Sequence, residues 1–182
     1  MIIALIALVV LLIGGVALVR SLRTSSLLSG NLAVKRDLLN QGERGFSAAV
    51  TALSSGALNT ETIRSSDLKS ANYVSYQLAS NSQGIPLVLV NDSTYSSLGL
   101  SLTDITDSST GITIRYVIDR QCASTGAFST STCLYTTSTA DSSGSGHLLK
   151  PGGESRPAYR ITVRVTDTHR NTQTFAQMIA GI

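Results

Sequence analysis

Hydrophobic and polar positions divide the first 54 residues of the chain into two patterns. Residues 1–19 contain no ionisable side chain, and the first charged residue is Arg20. Nineteen residues at 1.5 Å each form a helix of about 28 Å, close to the ~30 Å hydrocarbon thickness of a bilayer. The pattern therefore predicts an N-terminal helix that is apolar on all sides and long enough to span a membrane.

From residue 20 onward, apolar residues recur three, four or seven positions apart, which is the spacing of one helix face. Polar residues fill the other positions, no proline interrupts the stretch, and Gly56 follows as a C-cap. We therefore predict one helix over about residues 1–54, whose second half packs an apolar stripe on a globular head. The stripe comprises Leu28, Leu32, Leu39, Phe46, Val50 and Leu53, with Gly42 filling one step.

Alternation of apolar and polar residues predicts strands in the second half of the chain. Residues 113–120 and 158–167 alternate most clearly. Residues 168–171 predict a turn and 173–180 a returning strand, which gives a C-terminal hairpin with Phe175 and Ile179 facing inward. In the strand over 158–167, one face carries Tyr159, Ile161, Val163 and Val165, and the other carries Arg160, Thr162 and Arg164.

The remaining segments give weaker signals, and together they complete an α+β fold. We expect a short helix to begin within residues 60–74, strands over 72–79 and 85–91, and mostly loop over 93–111. Residues 133–137 are expected to pair beside 113–120, and residues 141–155 to form a turn-rich loop. The predicted architecture is a long N-terminal helix packed on a small antiparallel sheet with a C-terminal hairpin.

Composition indicates one small, solvated domain after the helix. About 125 residues remain beyond an N-terminal helical region of about 55 residues, which suits a single domain. Aromatic residues make up 5% of the chain, tryptophan is missing, and Ser and Thr crowd the middle. The net charge of +3 arises from scattered Lys and Arg, so the clustered basic face that nucleic-acid binding needs is not expected.

The two cysteines, Cys122 and Cys133, are expected to form one disulfide that closes a short loop. Metal sites favour closer Cys spacing together with further ligands, and the only histidines, His147 and His169, lie far away in the sequence. A disulfide implies an oxidising compartment. The loop-entropy model assigns it about 3 kcal/mol of stabilisation.

The apolar opening segment admits three interpretations. A cleavable signal peptide needs basic residues before the apolar run and a small-x-small cleavage site, and the sequence shows neither. A simple membrane anchor would place Arg20 and Arg23 on the cytoplasmic side by the positive-inside rule, which conflicts with a disulfide in the head. The third interpretation is a chain whose basic leader is removed just before the apolar helix, which then stays in the mature protein.

A retained apolar helix has two environments open to it, lipid and a bundle of copies of itself. The pair Gly14-Gly15 lies within the span, where glycine weakens a helix by about 1 kcal/mol relative to alanine. The pair either unwinds locally, allows close helix approach, or is merely tolerated. The residues expected to pack in lipid or in a filament are Ile2, Leu5, Leu8, Val9, Leu12, Gly14, Gly15, Val16 and Val19.

Three stretches of the chain resemble the type IV pilins, and within them the PilX-type minor pilins of bacterial type IV pili. They are IIALIALVVLLIGGVALVRSL, SLLSGNLAVKRDLLNQGERGFSAAVTAL and, near the C-terminus, YRITVRVTDTHRNTQTFAQMIAG, 72 residues in all. The resemblance implies a pilin-like fold. Residues 1–24 would be the transmembrane and filament-core half of the helix, and residues 25–182 the periplasmic or extracellular head.

The resemblance implies a structural role without catalysis or cofactor. The chain would be processed by prepilin peptidase, methylated, and held in the bacterial inner membrane with its head in the periplasm. It would then pack helix to helix with other pilin subunits in a cell-surface pilus used for adhesion and twitching motility. Leu5 stands where a typical pilin has a glutamate that pairs with the N-terminal amine of a neighbour. PilX-type pilins often lack that glutamate, which implies a minor pilin in a priming or tip complex.

Three other functions remain open from the sequence. One is the related pseudopilin of a type II secretion system. Another is a membrane-anchored extracytoplasmic binding or adhesin module, whose Ser/Thr-rich loops over 124–146 contact surfaces and whose head should show a deep pocket or an exposed aromatic patch. The third, an anchored enzyme, is disfavoured because the G-x-S-x-G, H-E-x-x-H, P-loop and G-x-G-x-x-G motifs do not occur. Asp104 and Asp107 are too sparse for a calcium loop and are expected to be turn and cap residues.

Overall fold

The computed structural model of this chain describes residues 2–137 and 155–182. The chain divides into two compact units, one ending at Asp37 and the other comprising Leu38–Ile182. The first unit is helical throughout its described residues, and the helix, α1, spans Ile2–Ser54. The predicted helix over residues 1–54 is confirmed for the described residues, whereas the boundary at residue 24 between a membrane half and a head stays a prediction.

The second unit places short helices and strands after α1. The helices are α2 (Glu61–Arg64), α3 (Leu87–Val90) and α4 (Asp92–Ser97), with a 3-10 turn at Lys69–Ala71. The strands are β1 (Tyr73–Val74), β2 (Ile105–Asp107), β3 (Ile112–Arg120), β4 (Tyr135–Thr137), β5 (Ser155–Asp167) and β6 (Thr172–Gly181). The predictions for residues 138–154, including His147, fall outside the described residues.

The six strands form one mixed sheet centred on β3 and β5. These two strands pair antiparallel from Ile112↔Asp167 to Arg120↔Tyr159, and β5 continues into β6 as the predicted C-terminal hairpin. Strand β2 pairs antiparallel with β3, but β1 runs parallel to it, so the prediction of a purely antiparallel sheet is wrong. Strand β4 pairs with the start of β5, not with β3 as predicted. The α+β class is confirmed.

Small residues occupy the middle of the α1 face that packs on the sheet. A Cβ added to Gly45 would lie 2.9 Å from Val163 Cγ1, and one on Gly42 would lie 3.4 Å from Val165 Cγ2. Because glycine has no side chain, α1 can approach β3 and β5 closely at these two positions. The helix therefore contacts the sheet along the row of residues that contains Gly42 and Gly45. The buried row comprises Leu38, Gly42, Gly45, Ala49 and Leu53.

The predicted apolar stripe therefore needs correction. Leu53 is fully buried, but Phe46 and Val50 are half-buried and Leu39 is 38% exposed. Leu28 and Leu32 are also exposed. The prediction places the sheet against the row of large apolar residues on α1. In the structure the sheet contacts the adjacent row of the helix, which includes Gly42.

The opposite face of the sheet is covered by the segment between β1 and β2. A cluster of buried apolar side chains lies there, with Phe175 packed against it (Val74, Leu78, Val88, Leu89, Tyr95, Leu100 and Val117). Residues 87–90 and 92–97 are helical, so the predicted strand over 85–91 and much of the predicted loop over 93–111 are wrong. Ile179, predicted to face inward, is exposed.

Candidate membrane and assembly surface

The first half of α1 presents an uncharged apolar surface. All large apolar side chains described between Ile2 and Val19 are exposed. The helix is long and apolar enough to cross a membrane, a statement about its length and composition alone. Burial in lipid or against other helices would remove this surface from water, at about 25 cal/mol per Å² of apolar area.

The residues predicted to pack in lipid or in a filament lie around this helix. Leu5, Leu8, Val9, Leu12, Val16 and Val19 are exposed, as is Ile2. At Gly14 and Gly15 the helix continues without interruption, so the suggested local unwinding is not seen. A Cβ at either glycine would meet no atom within 4 Å, which leaves both positions open to close approach by another helix.

A shallow groove lies beside Gly15, where the missing side chain lowers the helix surface. Leu11, Leu12, Val16 and Val19 form its apolar part, and Arg20 and Arg23 lie at one end. Its volume is about 380 Å³. A hydrocarbon chain or an apolar helix could pack against the apolar part. The two guanidinium groups could contact polar or anionic groups at a membrane surface.

The disulfide predicted from the sequence joins Cys122 and Cys133. The two residues also pair as a β-bridge, and Ala123 N donates to Thr132 O within the loop. Gln77 N donates to Cys122 O, and Leu134 N donates to Gln121 O. These bonds attach the loop to the end of β3.

An uncharged groove of about 560 Å³ runs along this disulfide loop. Leu134 and Tyr135, at its rim, are 64% and 47% exposed. The other lining residues are Gln, Cys, Ala, Ser and Thr, without a charged side chain among the ten. The head thus shows one half-exposed aromatic residue beside an open groove, whereas a binding module is expected to show a deep pocket or an exposed aromatic patch.

A buried ion pair lies under the segment between β1 and β2. Arg160 Nη2 donates to Asp119 Oδ2 at 2.7 Å and Nε donates to Oδ1 at 2.9 Å. The carboxylate also accepts bonds from Leu78 N and Gln121 Nε2, and Arg160 reaches Leu78 O and Gly84 O. Sequence reasoning missed this pair, although both residues occupy the polar positions of alternating strands.

A second charged network lies nearer the surface. Asp92 Oδ1 accepts from Arg164 Nη2 at 2.6 Å and from Arg115 Nη1 at 2.8 Å, and Arg115 makes two further bonds to Asp104. The hydrogen bond from Arg164 holds the pKa of Asp92 below its ordinary value. Hydrogen bonding to Asp104 raises the pKa of Arg115 despite partial burial. The network fastens α4 to the sheet.

The two aspartates considered for calcium have separate structural roles. Asp104 pairs with Arg115, and Asp107 Oδ1 accepts from Ser109 N and Oγ in a turn. The hydrogen bond from the Ser109 hydroxyl lowers the pKa of Asp107. Within residues 2–137 and 155–182, no three His, Cys, Asp or Glu side chains lie together as metal ligands. His169 lies in the β5–β6 turn, against Gly111.

Comparisons with protein-family models, with curated proteins and with solved structures found no match for this chain.

Proposed function

We propose that this chain is a structural subunit of a type IV pilus or a related filament. The observation that carries the proposal is the continuous helix α1, which joins an exposed apolar surface free of charge up to Val19 with a second half that packs on a sheet. A helix whose first half is apolar, uncharged and exposed needs lipid or other helices around it. A filament subunit uses both in succession.

The proposed mechanism is an exchange of environments for the apolar half of α1. In the inner membrane its side chains contact lipid, and in the filament core they contact the same half of other subunits. Lipid chains and leucine side chains are similarly apolar, so the exchange is nearly balanced and association depends on packing. Gly14 and Gly15 favour such packing because they present no side chain to a neighbour.

The proposed subunit is a minor pilin that acts in priming or at the tip. Leu5 offers no carboxylate to a neighbouring amine, so the subunit relies on apolar packing or on partners for docking. The first acidic residue of α1 is Asp37. The proposed partners are other pilin subunits, the inner-membrane assembly machinery and prepilin peptidase, with the head in the periplasm before assembly and on the cell surface afterwards.

Intact-mass spectrometry of sheared filaments tests this proposal. A trace amount of the chain beside a more abundant pilin would support the minor role, and the same spectrum would report its N-terminus and any methylation there. The chain as the bulk species would contradict the minor role. Recovery only from membranes would contradict the filament proposal, and recovery from filaments that depend on a type II secretion system would favour the pseudopilin alternative.

A second candidate is a membrane-anchored binding or adhesin module, favoured by the exposed Leu134 and Tyr135 beside the disulfide-loop groove. Replacing both by serine should reduce attachment of cells to surfaces while the amount of filament stays unchanged. A loss of filaments with the variant would instead favour a role for this patch in assembly. Unchanged attachment and unchanged filaments would contradict the adhesin candidate.

A further inference from the structure

Two arginines are buried in the head without an acidic partner. Arg120 is fully buried and Arg64 is 8% exposed. Neither takes part in an ion pair within the part of the chain that the structure describes, in contrast to Arg160, which pairs with Asp119. Burying an unpaired charge is unfavourable because the charge loses its hydration, so such groups usually have a counter-ion.

Backbone carbonyls satisfy only part of each guanidinium. Arg64 Nη1 donates to Leu53 O at 3.1 Å and to Leu58 O at 3.0 Å, which caps the C-terminal end of α1. Arg120 Nε donates to Ser75 O at 3.0 Å, and its Nη2 donates to Gly126 O. Arg64 Nε and Arg120 Nη1 remain buried without a hydrogen-bond partner.

The two arginines converge on Tyr159. Arg120 is the register partner of Tyr159 across β3 and β5, so their side chains lie on the same face of the sheet. The guanidinium carbon of Arg64 lies 5.5 Å from the centre of the Tyr159 ring. The Tyr159 hydroxyl is likewise buried without a hydrogen-bond partner. Among the described residues, five buried side-chain polar atoms lack a partner, and three of them belong to Arg64, Arg120 and Tyr159.

The tyrosines of the cluster cannot supply the missing negative charge. Burial raises the pKa of Tyr159, and burial also raises that of Tyr73, whose ring centre lies 6.4 Å from that of Tyr159. Both phenols are therefore neutral near pH 7, and Tyr159 keeps a proton to donate. Glu61, the acidic side chain that lines the same cleft as Arg64, is exposed and makes no ion pair among the described residues.

We propose that Arg64, Arg120 and Tyr159 form a binding site for a small inorganic anion of the chloride type. A halide can accept hydrogen bonds from several donors at once and supplies the negative charge that neutral water does not. An open cleft of about 270 Å³ is lined in part by Leu53, Glu61 and Arg64, so solvent reaches the site on the Arg64 side.

An anion here would connect the end of α1 to the disulfide loop. Arg64 holds Leu53 O at the end of the helix, and Arg120 holds Gly126 O inside the loop. Gly126 N also donates to Ser65 O, next to Arg64. A ligand that contacts both guanidinium groups would stabilise both regions together. This inference does not depend on the proposed filament function.

Calorimetric unfolding of the full chain in neutral detergent tests the site. Sodium chloride and sodium gluconate are compared at the same ionic strength, so that general screening is equal. For a dissociation constant on the order of 10 mM, 150 mM chloride should raise the midpoint temperature by about 4 °C. Tyr159→Phe keeps the ring but removes one donor and should lose at least half of this rise, whereas the control Tyr116→Phe should keep it.

Chloride-35 NMR provides a direct measurement that does not depend on stability. Chloride line broadening by the wild-type protein should fall on titration with bromide and should be weaker with Tyr159→Phe than with Tyr116→Phe. Equal midpoints in chloride and gluconate, without broadening, would overturn the proposal and assign the three donors to water. A chloride effect that Tyr159→Phe leaves intact in both measurements would overturn the assignment to these residues.

Discussion

Gly45 of α1 faces Val163 of β5 so closely that a Cβ on the glycine would lie 2.9 Å from Val163 Cγ1. The same Cβ would lie 3.0 Å from Ile114 Cγ2 on the neighbouring strand. Real Cβ atoms essentially never come this close to another heavy atom, so the distance between helix and sheet depends on the missing side chain. The contact joins the only long helix described to the two central strands of the head.

Gly45→Ala should therefore destabilise the head although alanine favours helices. Overpacking costs about 1–3 kcal/mol, which exceeds the gain of about 1 kcal/mol in helix propensity. Gly42→Ala is the matched control, because its Cβ would lie 3.4 Å from Val165 Cγ2 and should be neutral or stabilising. Urea unfolding of the full chain in detergent measures both. Equal effects of the two substitutions would contradict the close approach at Gly45.

Asp119→Asn should destabilise the head by about 3–5 kcal/mol, because it leaves the buried Arg160 without a counter-charge. Asp92→Asn is the control, since the Asp92 side chain is 71% exposed and its pairs with two arginines are worth at most about 1 kcal/mol each. The free energy of unfolding of each variant checks this difference. A similar small loss for both would show that the buried pair contributes little.

Removal of the disulfide by Cys122→Ser with Cys133→Ser should lower the free energy of unfolding by about 3 kcal/mol, by the loop-entropy model. The rest of the loop should loosen as well, because its attachment to Gln77 and Gln121 depends on backbone bonds near the two cysteines. Hydrogen exchange of residues 123–132 reports this change. Unchanged exchange and unchanged stability would contradict a structural role for the bond.

Acid should weaken the head in part through Asp67. Burial by itself raises the pKa of this carboxyl, but hydrogen bonds from Lys69 and Ser75 outweigh burial and bring the pKa below its ordinary value of 3.8. A lowered pKa in the folded state means that the stabilisation is present above pH 3.8 and is lost as the pH falls through the folded value. Asp67→Asn should therefore flatten the loss of stability as the pH falls below 3.8 in urea unfolding. An unchanged slope would contradict this prediction.

A charge within the apolar half of α1 should impair membrane retention. Leu12→Lys places an ammonium near the middle of the span, at a cost of about 2.5–3.5 kcal/mol on insertion scales. Leu28→Lys is the matched control, because Leu28 is exposed to a similar extent but lies beyond Arg23. Alkaline carbonate extraction of membranes separates retained from released protein. Equal retention of the two variants would contradict a span over residues 1–19.

Local patterns predicted the long helix, the hairpin of β5 and β6 and the disulfide, because each depends on residues that are close in sequence. The alternation of Tyr159, Ile161, Val163 and Val165 identifies the face that packs on α1. The second face of β5 could not be assigned in this way. Arg160 and Thr162 follow a polar pattern, yet both are buried. Arg160 pairs with Asp119 of β3, and the Thr162 hydroxyl accepts a hydrogen bond from Gln177 of β6.

The α1 stripe and the segment over 85–91 show a second limit of sequence patterns. The spacing of large apolar residues, such as Leu39 and Phe46, predicts one buried face of α1. The buried face in the structure is the row with Gly42 and Gly45, because the helix lies close to the sheet there. The run Leu87–Val90 is apolar enough for a strand, but in the fold it forms a single helical turn that covers Val117. Short apolar runs carry no information about which partner will cover them.

The sequence by itself determined that a long helix has an uncharged apolar first part, that a small α+β head follows it, and that its two cysteines can close a loop. Hydrophobic periodicity and residue spacing act over a few residues, so they are readable from one chain. Only the tertiary structure decided which row of α1 meets the sheet, which charges are buried in pairs, and that Arg64 and Arg120 lie near Tyr159 with no acidic partner among the described residues. These features depend on contacts between distant residues, where close packing and the cost of burying charge select one arrangement.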